Sequence, residues 1–222
     1  MSLIGFPFQP NIPEDFAMAS FPKIRFLTTW FVNLYWRTKV YGIKNIPPAG
    51  PFVVVANHAS ILDPYLIDWA SKERELYFLA KEELFRNRFI GYFLTHCNAI
   101  PVKRGVIDET AIKKFHEILG EGKPMGIFPE GTRTLNGETQ QGKKGAGMLV
   151  YNARVPVLAA YIAGTFECFP KGKTWPRPGR TSITFGPAIP MEDLYREKAE
   201  KATYRKITDR LMENITKLRP KA

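Results

Sequence analysis

A 222-residue chain with 45% hydrophobic and 13% aromatic residues carries enough apolar surface for one sizeable core, which excludes an intrinsically disordered polypeptide. Its two cysteines, Cys97 and Cys168, are too few for a disulfide framework and stand in no cluster of metal-ligand spacing, so both are expected to be reduced and structural, with no metal site. The net charge of +11 implies an anionic partner, and because no nucleic-acid-binding motif accompanies it, a phosphorylated metabolite or an acidic membrane surface is expected and nucleic acid is not.

Residues 1–22 are rich in proline and phenylalanine and lack the basic start and apolar block of a signal peptide. No stretch approaches the roughly 20 uninterrupted apolar residues of a membrane span. Over residues 23–41, Ile24, Leu27, Trp30, Phe31, Leu34 and Tyr35 recur at helical spacing, Val32 and Trp36 widen that face, and Lys23, Arg25, Arg37 and Lys39 flank it. This composition predicts an amphipathic helix in a membrane interface, within an N-terminal segment 1–44 ahead of a domain spanning 45–222. A helix packed on its own domain has the same pattern.

Ile46-Pro47-Pro48-Ala49-Gly50-Pro51 is a turn into the first core strand, Phe52-Val53-Val54-Val55-Ala56, a continuous apolar run suited to a strand covered on both faces. Asp63 suits a helix N-cap and Pro64 the first helical position, with Leu66, Ile67 and Trp69 following. Strands are then expected over 76–80, 98–102, 125–128, 155–162 and 182–185, and helices over 82–97, 108–119, 143–153 and 191–217. Strands alternating with helices predict an α/β fold in which helices flank a mainly parallel central sheet.

In such sheets, sites form where loops leave the carboxyl ends of strands. The first such loop holds His58 and Asp63, five residues apart. On an ideal helix they would point about 140° apart, so they meet only across a turn. There the carboxylate accepts from one ring nitrogen and leaves the other as a base; the alternative is that Asp63 only caps its helix while His58 closes a loop. The second loop reads Lys103-Arg104-Gly105, and the third Pro129-Glu130-Gly131-Thr132-Arg133-Thr134. An arginine fork, a hydroxyl and a glycine-exposed backbone suit a phosphate. Lys81, just past the second strand, is a further candidate cation, whereas His96 and His116 have no carboxylate at matching spacing and are expected to be structural.

Together these blocks resemble a known family. His58 with Asp63 looks like the N-H-x-x-x-x-D motif of the glycerolipid acyltransferases, the 1-acyl-sn-glycerol-3-phosphate acyltransferase family. Ala99-Ile100-Pro101-Val102-Lys103-Arg104 is similar to its second block, and Phe128-Pro129-Glu130-Gly131-Thr132-Arg133-Thr134 to its third, F-P-E-G-T-R-S, with threonine for the last serine. Val155-Pro156-Val157 resembles the fourth, V-P-V-x-P, except that Ala159 stands where proline is usual. Four ordered blocks are a far stronger signal than any one of them.

The resemblance implies transfer of a fatty acyl group from acyl-coenzyme A or acyl-carrier protein, as co-substrate with no cofactor, to the free sn-2 hydroxyl of lysophosphatidic acid, giving phosphatidic acid. It casts His58 as general base and Asp63 as the group that orients it. Arg104 and Arg133 would clamp the acceptor's phosphate, with Lys81 and Thr132 adding contacts, Gly131 allowing close backbone approach and Glu130 ordering the arginines or the glycerol hydroxyls. No G-x-S-x-G elbow is present, so a serine acyl-enzyme is not favoured. Other acceptors keep the same chemistry: glycerol 3-phosphate, another lysophospholipid or an aminoacyl lipid. A non-catalytic lipid-binding module is the alternative of a different class. The expected location is peripheral, on the cytoplasmic face of a membrane, where the basic and aromatic loop 169–177 would meet anionic lipid or the donor's phosphates.

Overall fold

The computed structural model describes residues 29, 32–71, 74–87, 91, 94, 95, 98–102 and 109–220. Among them, seven strands form one sheet: Lys39–Tyr41 (β1), Val53–Ala56 (β2), Tyr77–Lys81 (β3), Ala99–Val102 (β4), Met125–Ile127 (β5), Val157–Ala163 (β6) and Ser182–Ala188 (β7). Their order is β1-β7-β6-β2-β5-β3-β4, and every pairing is parallel except β6 with β7. The helices are Asp63–Ala70 (α1), Glu82–Phe85 (α2), Glu109–Gly120 (α3), Lys144–Ala153 (α4), Thr165–Cys168 (α5), Glu192–Tyr195 (α6) and Lys201–Lys217 (α7).

The continuous apolar run of β2 is explained by its central place, with β6 on one side and β5 on the other. Val53 and Val55 point into one core with Phe115, Val150, Ile207 and Leu211 of α3, α4 and α7. Val54 and Ala56 point into the other, with Leu66 and Ile67 of α1 and with Val32, Trp36, Phe78 and Phe185. Burying each Val, Leu, Ile or Phe side chain stabilises the fold by about 1.5–3 kcal/mol, so a strand clothed on both faces is the most firmly placed element available to carry a site.

Three expectations are corrected. Residues 39–41 are not the end of a helix but strand β1, paired with β7. The pairing starts before the strand itself, where Gly179 and Thr181 donate their amides to the carbonyls of Tyr35 and Trp36. Val32 and Trp36 accordingly lie in the core, not on a lipid-facing side. Residues 1–28, 30 and 31, which hold the first part of the expected interfacial helix with Ile24, Leu27, Trp30 and Phe31, lie outside the described residues. The helix expected over 82–97 is interrupted: α2 ends in a turn at Arg86 and Asn87, and Gly91, Leu94 and Thr95 are helical again; residues 88–90, 92, 93, 96 and 97 lie outside the described residues. The helix expected over 191–217 is two, α6 and α7, broken where Glu200 is extended. The break is held by α4 and its end: Tyr151 Oη donates to the Glu197 carbonyl (2.9 Å) and Arg154 Nη2 to that of Tyr195 (3.1 Å), satisfying groups that a continuous helix would have used itself.

Candidate active site

β2 ends at Ala56, and the next residue pins its end in place. The side chain of Asn57 donates to the Ile162 carbonyl (2.9 Å) and accepts from the Ile162 amide (2.8 Å), extending the bond to β6 by one side-chain rung. The chain then turns through His58, Ala59 and Ser60 into α1. Asp63 Oδ2 takes three hydrogen bonds in that turn, from His58 Nδ1 (2.9 Å) and from the amides of Ala59 and Ser60 (2.7 Å each). Asp63 therefore does not cap its helix. It is the first residue of α1, and its fully buried carboxylate reaches back to close the turn.

An ionised carboxylate only accepts hydrogen bonds, which assigns the ring proton of neutral His58 to Nδ1 and the lone pair to Nε2. Nε2 has no partner among the described residues, and the side chain of His58 keeps 18% of its surface exposed. The ring is fixed from one face by Phe128, parallel to it at 4.1 Å, and Phe128 stacks in turn on Phe78 at 5.9 Å. Gly126 makes room for that stack, since a Cβ there would lie 2.1 Å from the Phe78 ring.

The loop after β5 wraps the same histidine. Thr134 donates its amide to the His58 carbonyl (2.9 Å), and His58 donates its own amide to Glu130 Oε1 (3.0 Å). Glu130 is 2% exposed, and burial pushes its carboxyl above the usual range against the hydrogen bonds from His58 and Gln140. Gln140 holds the other oxygen twice, by its backbone amide (3.2 Å) and by Nε2 (3.0 Å), and Nε2 also reaches the Thr132 carbonyl (3.2 Å). Glu130 therefore orders the turn around the histidine, and no hydrogen bond joins it to Arg133 among the described residues. Gly131 turns with φ +64°, and a Cβ there would meet the Lys143 side chain at 3.0 Å. Arg133 is half-buried; burial lowers its affinity for the proton, while the charge of Asp63 acts in the opposite sense.

Gln140 belongs to no block seen in the sequence. Replacing it with alanine is expected to remove one charge-assisted bond from a buried carboxylate and to destabilise the fold by about 1.5–3 kcal/mol in urea titrations, with m unchanged. Lys81 ends β3, which β5 separates from β2; two strand spacings place it about 10 Å across the sheet from the His58 strand. Arg104 lies outside the described residues.

The site thus combines a histidine whose Nε2 is open, a buried carboxylate behind it and a half-buried arginine within the field of that carboxylate, at the carboxyl ends of parallel strands. Residues 37–163 match the family described as Acyltransferase. The chain belongs to that acyltransferase family. It is 34% identical to the 1-acyl-sn-glycerol-3-phosphate acyltransferase of Bacillus subtilis over 145 residues, spanning 64% of this chain and 72% of that protein. It is 30% identical to a 1-acyl-sn-glycerol-3-phosphate acyltransferase of Chlamydomonas reinhardtii over 219 residues, 90% of this chain and 65% of that one. The crystal structure of the 1-acyl-sn-glycerophosphate (LPA) acyltransferase of Thermotoga maritima superposes with a TM-score of 0.71 at 27% identity, covering 96% of this chain and 85% of that one. The α/β architecture with its mainly parallel sheet is that of this acyltransferase fold. Ala159, the departure from the fourth block, lies where the pairing of β6 with β7 shifts register, between Leu158 and Ala160. A bulge is one of the places in a strand where the missing N–H of a proline is tolerated, as at edges and strand starts.

Proposed function

We propose that this acyltransferase moves a fatty acyl group from an acyl thioester to the free sn-2 hydroxyl of lysophosphatidic acid, giving phosphatidic acid for phospholipid synthesis. The observation that carries the mechanism is the His58 ring held at Nδ1 by Asp63 with Nε2 left open, the same carboxylate exerting its field on the half-buried guanidinium of Arg133. The acceptor's hydroxyl oxygen attacks the thioester carbonyl carbon as Nε2 takes its proton. The tetrahedral intermediate then collapses, the C–S bond breaks, and the imidazolium returns the proton to the leaving thiolate. Asp63 holds the tautomer and stabilises the transient cation.

The oxyanion needs donors. The amides of His58, Ala59, Ser60, Gly131 and Thr134 are already engaged, which leaves the amides of Glu130, Thr132 and Arg133 as the unoccupied donors of the third loop among the described residues. Arg133 is assigned to the acceptor's phosphate, with Arg104 and Lys81 as further candidate cations. Acyl-coenzyme A and acyl-carrier protein present the same thioester, and the chemistry asks for no resident cofactor. Among the described residues no helix is long and apolar enough to cross a membrane. We assign a peripheral association with the cytoplasmic face on the strength of the basic and aromatic loop 169–177, which suits anionic lipid.

The test is release of free thiol from palmitoyl-coenzyme A by purified protein in detergent, with and without lysophosphatidic acid. Release that requires the acceptor is expected; none with either this donor or acyl-carrier protein would overturn the reading. In the same assay, Arg133→Lys is expected to raise the KM for lysophosphatidic acid about tenfold with kcat little changed, because lysine lacks the bidentate fork. An unchanged KM would take Arg133 out of the acceptor site.

A further inference from the structure

Between α5 and β7 the chain forms a loop with fixed anchors and a bare tip. Its start is tied to the His58 turn, where Ser60 Oγ donates to the Phe169 carbonyl (2.7 Å). Its far side is tied to the N-terminal part of the chain: Tyr35 Oη donates to the Pro176 carbonyl (3.0 Å), Trp36 Nε1 to that of Arg177 (3.1 Å), and the Gly179 amide to that of Tyr35 (3.2 Å). The Arg177 amide closes the loop on the Cys168 carbonyl at 2.7 Å.

Despite these anchors Trp175 is 81% exposed, the most exposed large apolar side chain described. Lys171, Lys173, Arg177 and Arg180 surround it in sequence, all exposed, with no acidic residue from 169 to 181 and no ion pair to any described residue. Leu34, 57% exposed, stands on the helical turn that leads into Tyr35 and Trp36. An indole held in water by a braced loop leaves a large apolar surface unburied, and four unpaired cations around it repel one another. The interface of an anionic bilayer relieves both: the indole sits at headgroup depth and the cations meet lipid phosphates. A nucleic-acid strand is the poorer match, because one aromatic offers no succession of stacking platforms and Leu34 offers none at all.

We propose that the 169–180 loop, led by Trp175, is a docking element for an anionic phospholipid surface, and that its ties to Ser60 and to Tyr35 and Trp36 set the His58 turn at a fixed height above that surface. The proposal rests on the peripheral-membrane reading above and names the element that performs it.

Flotation of the full chain with phosphatidylcholine vesicles, with and without phosphatidylglycerol, tests it. Binding is expected only with the anionic lipid, and less at high salt. Joint replacement of Lys171, Lys173 and Arg177 by Gln is expected to weaken it about a hundredfold at low salt, each cation near the surface being worth about fivefold. Trp175→Phe is expected to lose most of the quenching of tryptophan emission by brominated lipid while keeping most of the binding. All these side chains are exposed, and an unchanged urea midpoint will show that the variants fold. Undiminished vesicle binding in the triple variant, or no vesicle binding by the wild type, overturns the proposal. So does a raised KM for palmitoyl-coenzyme A without a bilayer, which would give the cations to the donor, or salt-dependent binding of an oligonucleotide in place of vesicles. Oligomers that dissociate in Trp175→Ala would give the tip to a second copy and overturn it as well. Vesicle binding is read without turnover, so wild-type chain that binds vesicles but releases no thiol would defeat the acyl-transfer reading and leave the docking element standing.

Discussion

His58→Ala is expected to lower the rate of acceptor-dependent thiol release by about 10²–10⁴, the span that a positioned general base contributes. The loss is expected in kcat, with the KM for lysophosphatidic acid little changed, because the phosphate is assigned to cations outside this side chain. The fold should survive. The backbone of His58 keeps its bonds to Glu130 and Thr134, and Asp63 Oδ2 keeps the two amides of Ala59 and Ser60. What goes is the stack on Phe128 and one hydrogen bond, together about 1–2 kcal/mol, readable as a small drop in the urea midpoint. Near-normal turnover in a folded His58→Ala chain would show that the proton leaves by another route, and the role proposed for this residue would fall.

How much of this site is legible in the sequence depends on how local each contact is. The His58–Asp63 pair is legible because six consecutive residues make the turn and its bonds, and the strand before it announces itself by a run of five apolar residues. That Asp63 turns back instead of capping is less so, since an aspartate before a proline serves either use and only the two amide bonds decide. Glu130 is visible as part of a block, but its work is not. In sequence it is a carboxylate two residues from a hydroxyl and three from an arginine; in the fold it is buried and bound to the amide of a residue 72 positions away. Gln140 carries no signal at all, because its role is defined by a loop that brings it back over Glu130. The same limit hides β1: Lys39, Val40 and Tyr41 have the composition to end an amphipathic helix, and only the open edge of β7, about 140 residues later, draws them into the sheet. Periodicity likewise runs through 191–217 without a pause, and the break near Glu200 comes from side chains of α4 and its end.

Asp63 separates structure from chemistry more sharply than His58 does, because its one oxygen serves both. Asp63→Ala removes the acceptor of two turn amides as well as of the ring. Each buried donor left without a partner costs about 1–3 kcal/mol, so a loss of about 2–6 kcal/mol is expected, a large share of the 5–15 kcal/mol that holds a domain together. This variant should be soluble only marginally and inactive for want of a fold. Asp63→Asn keeps a carbonyl oxygen for the Ala59 and Ser60 amides and puts its NH₂ where Oδ1 now has no partner among the described residues. Its stability is expected to fall by no more than about 1–3 kcal/mol, the cost of that one buried donor. Turnover is nevertheless expected to drop by about 10²–10⁴, because a neutral amide no longer stabilises the imidazolium. Groups that act as one unit are not additive, so the double variant His58→Ala/Asp63→Asn should be about as slow as His58→Ala alone. Additive losses in that cycle would mean that Asp63 acts on the reaction by some path other than the His58 ring, with the half-buried guanidinium of Arg133 the group to examine next, since it lies within the field of the same carboxylate.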